Sequence, residues 1–410
     1  MEKYLIKRSK TICINFPSEV FYQEYIDDHN KFRAFLTDTY ERFPEIFPSD
    51  FIKGFTFHDI IKSEKQKGFK MRRIKLKNQS EDVYQVRPSF MMPYMIAETA
   101  DVEKALYLRR WGVPFEGQVY VFGHNAMFWQ RAYVSVSRNS VGTTIKSPDL
   151  LPANIVADEK HSRLKGEKIF IATTAADECI LGCSLAKNAG TDELAKAYGD
   201  YKEEAKNQSS DYEPLTVNID GWEATRNAWK NLFPTVVVIL CFLHSFLKIK
   251  DRCRRSAEIL KQIGDKVWNA YHSDNPAQFS QRIRRLREQA SGFEDSPVKK
   301  AVLNLCAKAS EFKEGLRNPD AHRTSNMIDR LMNYQDRLLY AMQYFHGSEE
   351  TTRLSLRAMA LIWNFHPYGA RAKNNNPALI SPFYRINKFC YHENWLQNLL
   401  VASSLGGWRS

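Results

Sequence analysis

The apolar positions fall into short β-branched runs in the middle of the chain and into helical spacing on either side of it. Residues 215–219 form one such run, read as a buried strand that delivers Asp220 at its C-terminal edge. Gly221 permits a tight exit, and residues 222–233 take helical spacing, with Trp222, Trp229, Leu232 and Phe233 available for one apolar face. After Pro234, residues 236–240 make a second buried run that ends at Cys241, with His244 three positions on. Strand, helix, strand is the unit of a parallel or mixed sheet. Upstream, residues 154–157 lead into Asp158, and a polar turn is expected over 159–168. Strands follow over 169–174 and 179–185, then an amphipathic helix over 192–206 with Leu194, Ala195, Ala197, Tyr198 and Tyr201 on its apolar side.

The flanks read differently. Residues 99–112, 115–122 and 125–134 have the length and spacing of three short helices with turns at Gly112 and Gly123, a pattern that fits a helix-turn-helix module. In that reading Arg131, Arg138 and Asn139 face DNA. Residues 250–320 are helical and strongly basic, with Arg254, Arg255, Arg284 and Arg285 among the cations, and form a candidate insertion. A helix starts near Thr324 or Ser325, carries Asp329 in its first turns, and offers Ile328, Leu331, Met332, Leu338 and Leu339 to the sheet. Ser325 and Asn326 read as helix-start residues that orient Asp329. The expected organisation is a basic mixed region over 1–92, a helix-turn-helix-like region over 93–148, the first part of a sheet-based core over 149–250, the insertion over 251–320, a final core helix over 321–345, and C-terminal helices over 346–410.

Composition narrows the partner. The 43% hydrophobic and 26% charged content is that of a globular chain, and no run approaches the roughly 20 apolar residues of a membrane span. The first ten residues lack the apolar core of a signal peptide, so the protein is expected inside the cell. A net charge of +12 favours a polyanion. The run 62–77, with Arg72, Arg73 and Lys75, is a candidate phosphate-contacting surface. Seven scattered cysteines argue for reduced thiols, and Cys179 and Cys183 read as buried thiols rather than a zinc site.

The middle of the chain reads β-β-β-α-β-α-β, the order of a ribonuclease H-like α/β fold. That fold places one carboxylate in its first strand and another at the end of its fourth, the positions of Asp158 and Asp220. Carboxylates from separated segments can hold two divalent ions, which stabilise both the attacking and the leaving oxygen of a phosphodiester displacement. Asp158, Asp220 and Asp329 are the candidate catalytic and metal ligands.

Four short motifs occur in order: Ala157-Asp158-Glu159 after a strand, Ile219-Asp220-Gly221-Trp222, Cys241-x-x-His244 after the next strand, and Thr324 to Asp329 beyond the helical insertion. Over residues 95–345 or so the chain resembles the Mutator-like transposases and their bacterial insertion-sequence relatives, a branch of the ribonuclease H-like DDE transposases. The resemblance implies Mg²⁺ or Mn²⁺, as two ions, at the three aspartates. It implies cleavage at transposon ends, attack of the released 3′-OH on target DNA, terminal inverted repeats and target DNA as partners, and at least a dimer. Cys241 and His244 would lie close to the site, His244 contacting DNA or the scissile phosphate, with Trp222 stacking on an unpaired base. The third acid is Asp329 where the family usually carries Glu, so its reach is one methylene shorter. Two other readings stay open: a DNA-binding derivative that no longer cuts, and a nuclease without strand transfer.

Overall fold

The computed structural model describes residues 9–63, 68–95, 97–253, 257–376 and 379–408. Its N-terminal part is a four-stranded sheet. β1 (Thr11–Ile14) is followed by helices α1 (Glu19–Ile26) and α2 (His29–Arg42), then β2 (Phe55–Ser63), β3 (Phe69–Leu76) and β4 (Val83–Pro88). The strand order is β1-β4-β3-β2, with β1 parallel to β4 and the other pairs antiparallel. Ile12, Ile14, Ile74 and Val86 share one core with Tyr22, Ile26, Phe32 and Leu36 of the two helices. The three expected helices follow as α3 (Thr99–Arg110), α4 (Phe115–Phe122) and α5 (Ala126–Ser135), then a short α6 (Ser140–Thr144).

The second sheet positions the candidate site. It is built from β5 (Asn154–Leu164), β6 (Glu167–Ala176) and β7 (Cys179–Ala186), helix α7 (Thr191–Gln208), β8 (Thr216–Ile219), helix α8 (Glu223–Leu232) and β9 (Val237–Leu240). The strand order is β7-β6-β5-β8-β9; β5, β6 and β7 are antiparallel, and β8 and β9 run parallel to β5. This is a mixed α/β architecture with the element order read from the sequence. One expectation is corrected. The polar stretch 159–168 is strand on both sides of a two-residue turn at Lys165 and Gly166, whose φ values of 52° and 86° suit the tight hairpin geometry. Asp158 therefore lies in mid-strand. Beyond Val156, β5 has β6 but not β8 as a neighbour, so exposed polar residues such as His161 and Arg163 are compatible with strand there.

Alternation along β5 sends successive side chains to opposite faces. Ile155 and Ala157 join the core that holds Tyr198 of α7 and Trp229 of α8. Val156 joins the core on the other face. After β9 come α9 (Phe242–Arg252) and the insertion helices α10 (Ala257–Tyr271), α11 (Pro276–Ser291), α12 (Pro297–Ala307) and α13 (Ala309–Arg317). Ile263, Phe279, Leu305 and Phe312 of the insertion extend the α7/α8 core, so these helices are packed onto the sheet domain.

Helix α14 (Asn326–Ala341) covers the opposite face with Ile328, Leu331 and Leu338. Helix α15 (Glu349–Phe365) is apolar on two sides. Met359 and Ala360 belong to the sheet core, while Ala358, Leu361, Ile362 and Phe365 belong to the N-terminal core. After α16 (Ala370–Asn375), helices α17 (Pro382–Asn387) and α18 (Trp395–Ala402) return Phe383, Trp395 and Leu399 to that same N-terminal core. A buried ion pair between Glu204 of α7 and Arg357 of α15 ties these layers, and Glu204 Oε2 also accepts from the amides of Ser140 (2.7 Å) and Val141 (3.0 Å). All seven cysteines are free thiols, six of them buried. Among the described residues no helix is long and apolar enough to cross a membrane.

Candidate metal centre

Asp158 follows Val156 onto the face of β5 that meets α14. One ligand atom each from Asp158, His244 and Asp329 lie within 4.8 Å of one another. The three come from a strand and two helices. His244 is the third residue of α9, whose N-cap Cys241 directly follows the end of β9. Asp329 is the fourth residue of α14. The segment before α14 is strapped to the sheet. Asn218 Nδ2 of β8 donates to the His322 carbonyl (2.9 Å), and the Phe242 amide of α9 donates to the Arg323 carbonyl (3.2 Å). Farther along α14, Asp336 pairs with Lys160 of β5, and Gln335 Nε2 donates to Thr173 Oγ1 of β6 (3.0 Å). These bonds fix the start and the middle of the helix that carries Asp329.

A sulfur and a hydroxyl connect the two helix starts. The Ser325 amide donates to Cys241 Sγ (3.2 Å), the Cys241 thiol lies 3.3 Å from Ser325 Oγ, and that hydroxyl donates to Asp329 Oδ2 (3.1 Å). Ser325 thus orients Asp329, as its place at the helix start suggested. Burial alone would raise the Cys241 thiol, but His244 and Ser325 outweigh it and hold the thiol below its ordinary value. The same Cys241 contact, and then the carboxylates of Asp158 and Asp220, raise His244 to about 9.

Asp220 sits just past the end of β8, where its Oδ1 accepts from the Trp222 amide (3.0 Å). It stands beside the tight group rather than in it: its charge adds to burial in raising Asp158 to about 6. Three carboxylates are the metal ligands expected from the sequence, with His244 as an accessory; the geometry instead groups His244 with Asp158 and Asp329. His244 Nδ1 is buried without a hydrogen-bond partner, and an imidazole nitrogen with two carboxylates is a donor set that fits a divalent cation.

Glu159 was not singled out from the sequence, although alternation places it on the face opposite Asp158. Tyr198 and Thr225 hydroxyls donate to its Oε1 at 2.7 and 2.6 Å. Burial raises its carboxyl to about 7 despite those bonds. Trp222 caps α8 half-exposed, edge-on to His161 and Phe170, rather than packing on the helix's apolar face with Trp229 and Phe233.

A basic groove adjoins the cluster. His244, Lys248 and Arg252 recur every fourth residue of α9 and form one stripe. Lys248 and Arg252 line a groove of about 1050 Å³ against α12, together with Lys300 and Lys308. Lys308 Nζ is 3.6 Å from the position a Cβ on Gly221 would take, next to Asp220. Four-residue spacing in α9 was the available signal for this stripe.

The other basic residues singled out from the sequence are dispersed. Arg72 is buried, its Nε donating to the Ile26 carbonyl (2.8 Å) and its guanidinium over the Phe57 ring, so it is not presented to a phosphate. Strand alternation in β3 turns it toward the helices. Arg73 pairs with Asp59, and Lys75 with Glu81 at 2.7 Å. Arg131 is exposed on α5, whose Trp129 and Tyr133 are buried. Arg138 faces a pocket at the N-terminal sheet. Arg284 and Arg285 are exposed on α11, Arg284 at 3.6 Å from Glu288. Arg254 and Arg255 lie outside the described residues. No model of a known protein family matches the chain, and no curated protein matches it.

Proposed function

We propose that the protein is a DNA transposase of the ribonuclease H-like class, cutting a phosphodiester at the end of a mobile element and joining the 3′ end to target DNA. The observation that carries this reading is the convergence of Asp158, Asp329 and His244 within 4.8 Å, with Asp220 at the end of the adjacent strand. The order of the five-stranded sheet supports the same class, with its carboxylates in the first strand and just after the fourth. Divalent cations held there would stabilise the charge on the attacking and leaving oxygens. Asp158 and Asp329 supply oxygen ligands, His244 a nitrogen ligand, and Ser325 holds the Asp329 carboxylate in place. The groove lined by Lys248, Arg252, Lys300 and Lys308 neutralises phosphates of a strand leading to the site, and the half-exposed Trp222 ring offers an unpaired base a stacking surface. Joining two ends calls for at least two copies of the chain.

With Mn²⁺ or Mg²⁺, the purified protein is expected to nick DNA carrying the sequences that flank its gene, and to join a pre-cut 3′ end to a plasmid. Asp158→Asn and Asp220→Asn should lose both reactions and retain DNA binding. Wild-type protein that binds this DNA and cuts it under neither metal would sink the enzyme reading. Cutting without any joined product reduces the function to that of a nuclease.

A further inference from the structure

The N-terminal sheet has a second polar face, unrelated to the carboxylate cluster. Residues alternate along β1 and β4, and the parallel register pairs Thr11 with Gln85 and Cys13 with Arg87. These four side chains line the floor of a pocket of about 260 Å³, walled by Tyr94, Arg138, Ser403 and Ser404. Arg87 is only 6% exposed, yet its Nε and Nη1 have no hydrogen-bond partner. Arg138 brings a second guanidinium into the same pocket, where its Nη1 donates to the Ser137 carbonyl (2.5 Å). No acidic residue is among the described residues that line it. Burial lowers Arg138 to about 10 and the charge of Arg87 pushes it the same way, so the two cations oppose each other.

Two guanidinium groups in a pocket with no acid among its described lining residues are unfavourable unless an anion joins them, because a buried charge is tolerated only when paired. Guanidinium forks match phosphate oxygens, and two cations match the two charges of a phosphate monoester. The Thr11 hydroxyl adds a neutral donor. At the mouth Tyr94 is 78% exposed, with its ring 6.0 Å from the Arg138 guanidinium, and gives the remainder of a ligand an aromatic face. We propose that this pocket binds the phosphate of a nucleotide-type phosphomonoester, clamped between Arg87 and Arg138. Its source is either a free nucleoside 5′-monophosphate or the phosphorylated 5′ end of a strand.

Calorimetric titration of the full chain in EDTA, so that no phosphate binds through a cation at the carboxylate cluster, tests the proposal. The probes are AMP, adenosine, and one short oligonucleotide in its 5′-phosphorylated and 5′-hydroxyl forms. A phosphorylated probe should bind at least tenfold more tightly than its unphosphorylated twin, and Arg138→Gln and Arg87→Gln should each weaken that binding about tenfold or more. Preference for AMP alone assigns the pocket to free nucleotide, and preference for the 5′-phosphorylated oligonucleotide assigns it to strand ends. Without ligand both variants should melt at or above the wild-type temperature, since each relieves like-charge repulsion; a purely structural arginine would give the reverse. Should Arg87→Gln fail to fold, Arg138→Gln carries the comparison. Equal binding of phosphorylated and unphosphorylated probes, or binding unchanged in Arg138→Gln, overturns the proposal.

Discussion

Replacing Asp158 with asparagine should stabilise the metal-free protein while abolishing its response to metal. The substitution keeps size and local bonding, because an asparagine Oδ1 can still accept from the Glu159 amide that now donates to Asp158 Oδ1 at 2.8 Å. The charge is what changes. Burial, with Asp220 adding to it, raises the Asp158 carboxyl from 3.8 to about 6. The folded protein therefore holds this proton more tightly than the unfolded chain does, and the ionised carboxylate opposes folding. That opposition is absent below pH 3.8, grows through pH 6 and is complete above it. At about 1.36 kcal/mol per pH unit the interval amounts to about 3 kcal/mol, and residual solvent access reduces the expected gain to about 1–3 kcal/mol.

Urea unfolding followed by tryptophan fluorescence in EDTA gives the comparison. The Asn variant should unfold at higher urea than wild type at neutral pH, and the gap should close toward pH 4. Saturating Mn²⁺ should close or reverse the gap, since wild type gains about 2.7 kcal/mol when the cation is at a hundredfold its Kd and the variant gains little. A variant less stable than wild type in EDTA at neutral pH, or a gap that does not change with pH, would refute the reasoning.

Four further outcomes are expected. Ionisation of Asp158 and Glu159 with folded values of about 6 and 7, and loss of the His244 proton near 9, all remove stability as pH rises; metal-free protein should thus lose stability steadily from pH 5 to 9, read by urea midpoints, while Mn²⁺ affinity climbs over the same interval. Lys248→Ala should weaken DNA binding and lower the slope of log K against log salt by about 1, measured by fluorescence anisotropy. Glu204→Ala leaves Arg357 without its closest carboxylate and two α6 amides without an acceptor, and should cost about 3–5 kcal/mol in unfolding experiments. Asp329→Glu should lower Mn²⁺ affinity in calorimetry, because a longer side chain overshoots a site closed around the shorter one and gives up the Ser325 bond.

The sheet was legible because its strands are short apolar runs with turn residues between them, a signal confined to the local chain. Residues 215–219 and 236–240 were read as strands, and the structure has strands at Thr216–Ile219 and Val237–Leu240. The β5–β6 hairpin was misread because its outer half is polar; the turn signal was Lys165 and Gly166, two residues inside a longer hydrophilic stretch. The C-terminal helices read as a separate region, yet Phe383, Trp395 and Leu399 complete the N-terminal core, since an apolar helix face does not announce which distant face it meets. The same limit hid Arg72, a cation whose neighbours in sequence are basic but whose neighbours in space are the Ile26 carbonyl and two aromatic rings.

The shorter acid at position 329 raised a question of reach, and the answer lies in backbone bonds no motif encodes. The carbonyls of His322 and Arg323 accept from Asn218 on β8 and from the first residue of α9, which draws the start of α14 against the strand ends. Ser325 then reaches Cys241 on one side and Asp329 on the other. With the helix held this close, an aspartate suffices to bring its oxygen within 4.8 Å of the Asp158 and His244 ligand atoms. Cys241 and His244 are therefore two parts of one arrangement: the sulfur lies between the helix starts, and in the proposed metal site the imidazole three residues on would supply the donor that the position of Asp220, outside the tight group, leaves to it. Reach at such a site is set jointly by side-chain length and by the strap that seats the helix, and only the first of these is visible in a sequence motif.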